Sequence, residues 1–585
     1  MTFTDFSKLL SNIEATPKRL EITDLLVGLI KQTNPEEIEK AVNLSLGQLA
    51  PLYKDIDFNM AEKTIVRSLA SSCNLEGKTV LENFKRIGDL GEVASELKLK
   101  EQNSKRKTTV QSAKLSVSDV FSHLLNIATQ SGKDSQDRKI GETSELLREL
   151  DPLSAKYVVR IILGNLRLGF SDRTVLDALS NIIAGDKSAR KKLEEIYNVR
   201  PDIGWMANKI QDSRFKIQDF RTDPQLGTPI LPSLCQRLEG TEEIIEKMGQ
   251  VAAEPKWDGQ RIQAHVNLKG KSQIHLFTRG LENVAPMFPD LVVALSRFTI
   301  YDLRFTNCIL DGEVVAFDPK SNKVLPFQTM ITRKRKYDIQ KQLLSVPIRY
   351  MVFDIMYLNG KSLMNESFEK RRSLLSSIVP HPSSSIVHLA PQLVTVDPIR
   401  IRDLLKKQIN SGLEGIVAKR LDAPYSPGRT GFSWVKLKWE GKAKSGGSVD
   451  TIDCVVMGIY AGKGKRAGFG VGAFLVGIYS PNSFLTISKI GTGLTDEQWK
   501  ELRTKGQRLR AKGKPKEYDV PKELTPDVWL RPELVVEIQA DNITVSPLHT
   551  AGYALRFPRL VRYRDDKSPQ QATTVEEVKK LYKMQ

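Results

Sequence analysis

The chain has 585 residues, with 88 Lys and Arg against 69 Asp and Glu and a formal net charge of +19. A hydrophobic share of 40% supports packed cores and excludes global disorder, and the length suggests three or four domains of roughly 150 residues. The basic surplus favours a polyanionic partner, nucleic acid first and an acidic membrane surface second, while no apolar run approaches the roughly 20 residues that span a bilayer.

The N-terminus, Met1-Thr2-Phe3-Thr4-Asp5, lacks a basic stretch followed by an apolar run, so no secretory signal is expected. From there to about Asp219, apolar residues recur at helical spacing: Phe3, Phe6, Leu9 and Leu10, then Ile22, Leu25, Leu26, Leu29 and Ile30. Glu101 to Lys107 breaks the pattern and reads as an exposed loop, with Lys105-Arg106-Lys107 a solvated charge run. Tyr157 to Ser171 holds an apolar helix running into Gly164, a second glycine at Gly169, and Ser171 as N-cap of a predicted helix over 172–183. Such glycine-marked turns present backbone N–H groups and Arg167, which suits phosphate contacts; an ordinary packing corner between helices fits equally well. The proline- and glycine-rich connector Pro224 to Pro232 marks a boundary. The expected division is 1–222 helical, 223–440 mixed α/β and 441–585 a small barrel.

The middle part opens on Glu254-Pro255-Lys256-Trp257-Asp258-Gly259-Gln260-Arg261, of the form Lys-x-Asp-Gly-x-Arg. A lysine is a nucleophile only as the neutral amine, which nearby cations or a dry pocket favour. Arg261 offers a planar fork for a phosphate or carboxylate, and Asp258-Gly259 supplies the turn between them. Short β-branched runs follow. Phe277-Thr278-Arg279 ends one strand, and in Asp311-Gly312-Glu313 the two carboxylates share a strand face by period 2. Glu313 needs a cation or hydrogen-bond donors there, and is a candidate for a sugar hydroxyl or a divalent metal. Phe353, in the buried strand Tyr350 to Tyr357, could stack on a flat ligand or fill a core. Glu414 and Lys419 stand at opposite ends of one strand, and Lys436 and Lys438 share one face of another. That lysine pair fits either a polyphosphate between the two cations or a charged solvent-facing edge.

In the last third, Gly441 to Ser448 reads as a flexible basic linker. Predicted strands at Cys454–Tyr460, Gly472–Tyr479, Phe484–Ile490 and Leu534–Gln539, with a helix from Asp496 to about Leu509, suit a small barrel of the OB type. Gly462 to Gly468 reads as a basic hairpin, and Thr574 with Glu577 can box-cap a final helix. The cysteines Cys73, Cys235, Cys308 and Cys454 lie far apart with no Cys-x-x-Cys pair, which argues against a zinc ribbon or disulfide framework and for a reducing, intracellular setting. Gly77-Lys78-Thr79, Gly270-Lys271-Ser272 and Gly360-Lys361-Ser362 end like phosphate loops, but Ser72, His265 and Ile355 stand where the first glycine is needed.

Taken in order, Lys256-x-Asp-Gly-x-Arg261, Phe277-Thr278-Arg279, Asp311-Gly312-Glu313, Phe353-Asp354, Glu414-Gly415-x-x-x-Lys419 and Lys436-Leu437-Lys438 resemble the motif series of the covalent nucleotidyltransferases. Leu166-Arg167-Leu168-Gly169, Arg556-Phe557-Pro558-Arg559 and Arg564-Asp565-Asp566-Lys567 narrow the resemblance to ATP-dependent DNA ligases of the archaeal and eukaryotic replicative type. An RNA ligase or capping enzyme leaves those three segments unexplained, and a nicotinamide-dinucleotide-dependent ligase normally adds a cysteine zinc module. A DNA clamp without chemistry is the alternative from another class.

The resemblance implies a multidomain α+β protein: an all-helical DNA-binding domain, a mixed α/β adenylation domain and a C-terminal OB-fold β-barrel. It implies ATP as co-substrate, Mg²⁺ or Mn²⁺ as cofactor, nicked duplex DNA as partner, and work in replication, repair and recombination. Lys256 would carry AMP, Glu254 receive the adenine amino group, and Phe353 stack on the ring. Arg261 and Arg279 would contact ribose or phosphates, Glu313 the ribose or a metal, and Glu414 a metal. Lys419, Lys436 and Lys438 would neutralise phosphates, and Arg564, Asp566 and Lys567 would face the pyrophosphate. Arg167 and Gly169 would contact DNA. Thr430 stands where the family has arginine, so adjacent Arg429 is the candidate substitute. A monomer in the cytoplasm, on the nucleoid, is expected; no clear sliding-clamp peptide is seen.

Overall fold

The computed structural model describes residues 1–104, 114–211, 216–218, 223–269, 272–297, 306–321, 323–325, 329–330, 333, 346–379, 386–428, 431–438, 451–462, 470–540 and 542–584. The chain forms two compact units, Met1–Ala61 with Val110–Trp439, and Glu62–Thr109 with Glu440–Gln585. Among the described residues no helix is long and apolar enough to cross a membrane.

The first unit begins with helices whose 3.6-residue periodicity puts one face inside. Phe3, Phe6, Leu10 and Ile13 are buried along Phe3–Glu14, and Ile22, Leu26, Leu29 and Ile30 along Arg19–Gln32. Caps fix their starts. Thr2 accepts from the Asp5 amide, Ser116 and Asp119 form a reciprocal capping box, and Asp151 caps Pro152–Ile162. Ser171 does occupy the N-cap position of Asp172–Ala184, but its side chain makes no capping hydrogen bond. In the second unit, the expected loop at 101–107 is helical where described, since Leu90–Ser104 is one helix. Glu101 and Gln102 are good helix formers with no breaker among them. Lys105 to Lys107 lie outside the described residues, as do Asp219, Arg429, Thr430, the 441–448 linker and most of the 462–468 hairpin.

The strands of the first unit are β1 (Gln236–Arg237), β2 (Val251–Lys256), β3 (Gln260–Asn267), β4 (Gln273–Thr278), β5 (Asn307–Ala316), β6 (Ile348–Leu358), β7 (Lys361–Ser362), β8 (Val387–Leu389), β9 (Leu393–Thr395), β10 (Gly415–Arg420) and β11 (Trp434–Lys438). One sheet has the order β1-β11-β10-β2-β9, and the other β4-β3-β5-β6-β7 with β8 beside β6. The turn at Trp257 to Gly259 carries the chain from β2 in one sheet to β3 in the other. Lys256 therefore ends the first sheet's strand while Arg261 starts the second's. Gly259 makes that crossing tight, because a Cβ there would stand 2.9 Å from Glu313 Cγ and from Val315 Cγ1.

The connector after 223 is held by side chains of β3. The Gln263 amide accepts from the Ile230 N–H at 2.8 Å and donates to the Ile230 carbonyl oxygen at 3.0 Å. His265 Nδ1 accepts from the Gly227 N–H at 3.1 Å, and burial holds this imidazole neutral, with its pKa down at about 3.

In the second unit, β12 (Ile452–Tyr460), β13 (Ala473–Ser480), β14 (Ser483–Ile490), β15 (Tyr518–Asp519), β16 (Val528–Trp529), β17 (Val535–Gln539), β18 (Asn542–Val545), β19 (Tyr553–Arg556) and β20 (Arg559–Tyr563) build a β domain. Its main sheet runs β15-β14-β13-β12-β17-β20, with β16 beside β12 and β18 and β19 as a hairpin. The helix Asp496–Arg508 buries Trp499 and Leu502 in the same core as Phe474 and Val536. Thr574 and Glu577 form the expected reciprocal cap before Val575–Met584.

Candidate active site

Three strands of one sheet and three of the other converge on a cavity of about 420 Å³. Its wall includes Glu254 and Lys256 from β2, Lys419 from β10, Lys436 from β11, Arg261 from β3, Glu313 from β5 and Phe353 from β6, with Arg279 just beyond β4. Eight residues singled out from the sequence thus share one cavity.

Lys256 forms an ion pair with Glu414, which also holds Lys438 at 2.9 Å. Burial raises the Glu414 carboxyl, but these two lysines more than offset it and hold it below the usual range. Glu313 is different. Burial dominates, Arg261 and Lys256 oppose it, Asp311 and Glu414 add to it, and its pKa is pushed up to about 8. Burial, with Lys438, Lys256 and Arg279 nearby, lowers the pKa of Lys436.

Two of the candidate cations are engaged by protein groups in the structure. Arg261 does not keep its fork free for a phosphate. Nε and Nη2 donate to both oxygens of Asp311 at 3.0 and 2.7 Å, and Nη1 donates to the Ser233 carbonyl oxygen at 2.6 Å. Tyr425 also donates to Asp311 at 2.8 Å, so this carboxylate, 1% exposed, is fully engaged. The register explains it: Arg261 pairs with Glu313 and Gln263 with Asp311, which puts both carboxylates beside the arginine. Lys419, expected at phosphates, is 1% exposed and bound to Glu254 at 2.7 Å. Its ammonium also faces the rings of Phe353, Trp434 and Phe368 at 4.3, 4.4 and 4.8 Å.

Glu254 is 3% exposed, and burial raises its carboxyl against the pull of Lys419 and Arg372. One oxygen, Oε1, has no hydrogen-bond partner. Phe353 packs edge-on to Trp434 at 5.8 Å, with one side of its environment open to the cavity.

Sequence reasoning missed Cys235, Trp257, Val417 and Trp434 in the cavity wall, and the supporting residues Asp311, Tyr425, Arg371 and Arg372. Arg371 binds Asp354 through both oxygens at 2.8 and 3.0 Å, with neither side chain exposed. Asp311 was within reach, since it was already placed on the Glu313 face; the others carry no local signal.

Arg167 and Gly169 sit in the turn before Asp172–Ala184, at φ +61° and +77°. In the second unit, Arg564 pairs with Asp566 at 2.7 Å and with Asp453 at 3.0 Å, and Lys567 binds Asp453 at 2.5 Å. Among the described residues no cluster of three or more His, Cys, Asp or Glu side chains is placed to hold a metal. Glu313 and Glu414 do offer two hard oxygen donors beside the cavity. That set fits a magnesium ion that takes its remaining ligands from phosphate and water.

Residues 232–438 match the family model described as ATP dependent DNA ligase domain; 2–180 match DNA ligase N terminus, and 467–567 match ATP dependent DNA ligase C terminal region. A protein named Probable DNA ligase from Dictyoglomus turgidum is 38% identical over 595 residues, covering 100% of this chain and 98% of its own. The DNA ligase of Saccharolobus solfataricus is 36% identical over 604 residues, covering 100% and 98%. Among solved structures, Pmar-Lig_PreS3 is similar with a TM-score of 0.57 at 16% identity, over 96% of this chain and 99% of that one. At that identity the likeness speaks for the fold alone.

Proposed function

This chain belongs to the ATP-dependent DNA ligases, and from that premise we propose that Lys256 is the residue that carries AMP between ATP and a nicked DNA end. The enzyme joins a 3′-hydroxyl to a 5′-phosphate in duplex DNA through an enzyme–adenylate. Lys256 Nζ gives up its proton and attacks the α-phosphorus, a phosphoramidate bond forms, and pyrophosphate leaves. The 5′-phosphate of the nick then takes the AMP, and the 3′-hydroxyl displaces it as the phosphodiester closes.

The placement of Lys256 carries this reading: it stands in the wall of a cavity that also holds Lys436, Arg279, Glu313 and Phe353. Phe353 offers its ring to the adenine and Glu254 its unpartnered oxygen to the 6-amino group. Lys436 and Lys438 answer the negative charge that builds at phosphorus, which is the main work in phosphoryl transfer. Lys419 and Arg261 act one layer back, holding Glu254 and Asp311 in place. Glu313 and Glu414 would hold Mg²⁺ or Mn²⁺, which when bound supplies charge neutralisation at the phosphates. Arg429 is the candidate for the missing arginine, and Arg564, Asp566 and Lys567 take the pyrophosphate-facing role of their motif. The turn at Arg167 and Gly169 serves DNA phosphates, and the protein works as a monomer in replication and repair.

Incubation with ATP labelled at the α-phosphate and Mg²⁺, followed by a denaturing gel, tests the assignment. Wild type should carry label that passes to nicked DNA, and Lys256→Ala should carry none. Label retained in Lys256→Ala would place the adenylate on another residue.

A further inference from the structure

Glu254 and Arg372 meet inside the fold with hydrogen-bonding capacity left over. Glu254 commits Oε2 to Lys419 at 2.7 Å, while Oε1 accepts no hydrogen bond. Arg372, 8% exposed on the helix Phe368–Ile378, donates Nη2 to the Ala390 carbonyl oxygen. Its Nη1 has no acceptor and lies 3.8 Å from Glu254 Oε1, too far for a direct bond. A buried acceptor and a buried donor therefore stand side by side, the acceptor on a residue of the nucleotide cavity's wall. Buried polar atoms without partners are rare and costly, and a pair of opposite kind points to a ligand that brings the complement.

Adenine brings it. Its edge carries a ring acceptor, N1, next to a donor, the 6-amino group. Guanine and hypoxanthine present the reverse, a carbonyl oxygen next to N1–H. We propose that Arg372 is a specificity-determining residue of the nucleotide site, donating from Nη1 to N1 of adenine while Glu254 Oε1 accepts from the 6-amino group. This rests on the reading of Glu254 given above. Lys419 keeps Oε2 occupied and so leaves Oε1 as the oxygen that meets the base. A 6-oxo purine would set its carbonyl against the carboxylate and its N1–H against the guanidinium, so both contacts would be lost together.

Single-turnover adenylation of the full chain tests this with three nucleotides: ATP, 1-deaza-ATP (a C–H in place of N1) and the triphosphate of purine riboside, which lacks the amino group. Wild type should favour ATP over 1-deaza-ATP by roughly ten- to hundredfold, the worth of one buried hydrogen bond from a charged donor. Arg372→Met should bring that ratio to about one while keeping the preference for ATP over the purine riboside analogue. A supporting role in the fold alone would slow both nucleotides equally and leave the ratio unchanged, and that result overturns the proposal, as does a wild type indifferent to N1. Should Arg372→Met fail to fold, Arg372→Lys, which keeps a donor on a different reach, decides. A reduced ratio supports the contact and an unchanged one refutes it. The Glu254 reading fails separately, if wild type does not discriminate against the analogue without the amino group.

Discussion

Replacing Lys419 by methionine keeps the side-chain volume and removes the charge that faces Glu254. Left ionised at 3% exposure, that carboxylate would cost about 3–5 kcal/mol. Protonation gives it a way out. Carrying a carboxyl from its ordinary value of 4.5 to pH 7 spans about 2.5 pH units, about 3.4 kcal/mol at about 1.36 kcal/mol per unit. Lost contacts to the rings of Phe353, Phe368 and Trp434 add about 1 kcal/mol. Arg372, 3.8 Å from Oε1, stays as a weaker partner, so about 4 kcal/mol is the ceiling at pH 7. In the variant the folded-state pKa of Glu254 lies above its unfolded value. Its contribution is therefore fully present below about 4.5 and lost as pH rises, and the deficit should shrink from pH 7 toward pH 5 by at most about 1.4 kcal/mol per unit, since burial raises the wild-type carboxyl too. Urea unfolding of the full chain measures this in the transition that saturating ATP shifts. Adding Glu254→Gln should abolish the pH dependence. A deficit under about 1 kcal/mol, or one equal at pH 5 and 7, would refute the claim that Lys419 exists to hold a buried carboxylate.

Two further outcomes follow from the same site. Arg261→Lys keeps a charge but loses the fork that grips both Asp311 oxygens; unfolding should show a loss of about 2–3 kcal/mol, and label formation on Lys256 should slow, whereas unchanged adenylation would show that the fork does not matter. Glu313→Gln removes a carboxyl whose pKa burial pushes up to about 8. In wild type its contribution is present below about 4.5 and lost as pH rises through about 8. The variant should therefore hold its stability better between pH 5 and 8; a parallel fall in both proteins would argue against a buried Glu313.

Where the sequence could be read, and where it could not, divides along physical lines. Strand and helix positions in the last third follow local pattern, and Ile452–Tyr460 and Asp496–Arg508 lie close to the expected spans. Glu313 was visible because a carboxylate interrupts an apolar strand, which asks for a reason, and Lys256 and Lys436 because their short motifs follow one another in a recognisable order. What Arg261 and Lys419 bind was not visible. Their partners are fixed by the pairing of β3 with β5 and of β10 with β2, where Val417 stands opposite Glu254. Cross-strand register is a long-range property, and local periodicity leaves it open. Arg372 lies on a helix with nothing in its own stretch to tie it to Glu254. The connector's prolines and glycine suggested a boundary, but nothing in that stretch announced that its backbone groups are bound by Gln263 and His265, two polar side chains within a buried strand.

Glu414 has a bearing on turnover. It bridges Lys256 and Lys438. Each round of sealing ends with AMP departing from a region dense in ammonium and guanidinium groups, where a tightly held anion would leave slowly. A carboxylate built into the chain can take the place of the departing phosphate on those same lysines. The free enzyme thereby loses less on release than a bare cluster of cations would, and affinity for the incoming nucleotide is lowered by the same amount. Strong charge stabilisation during the reaction and quick recycling afterwards can then coexist in one cavity.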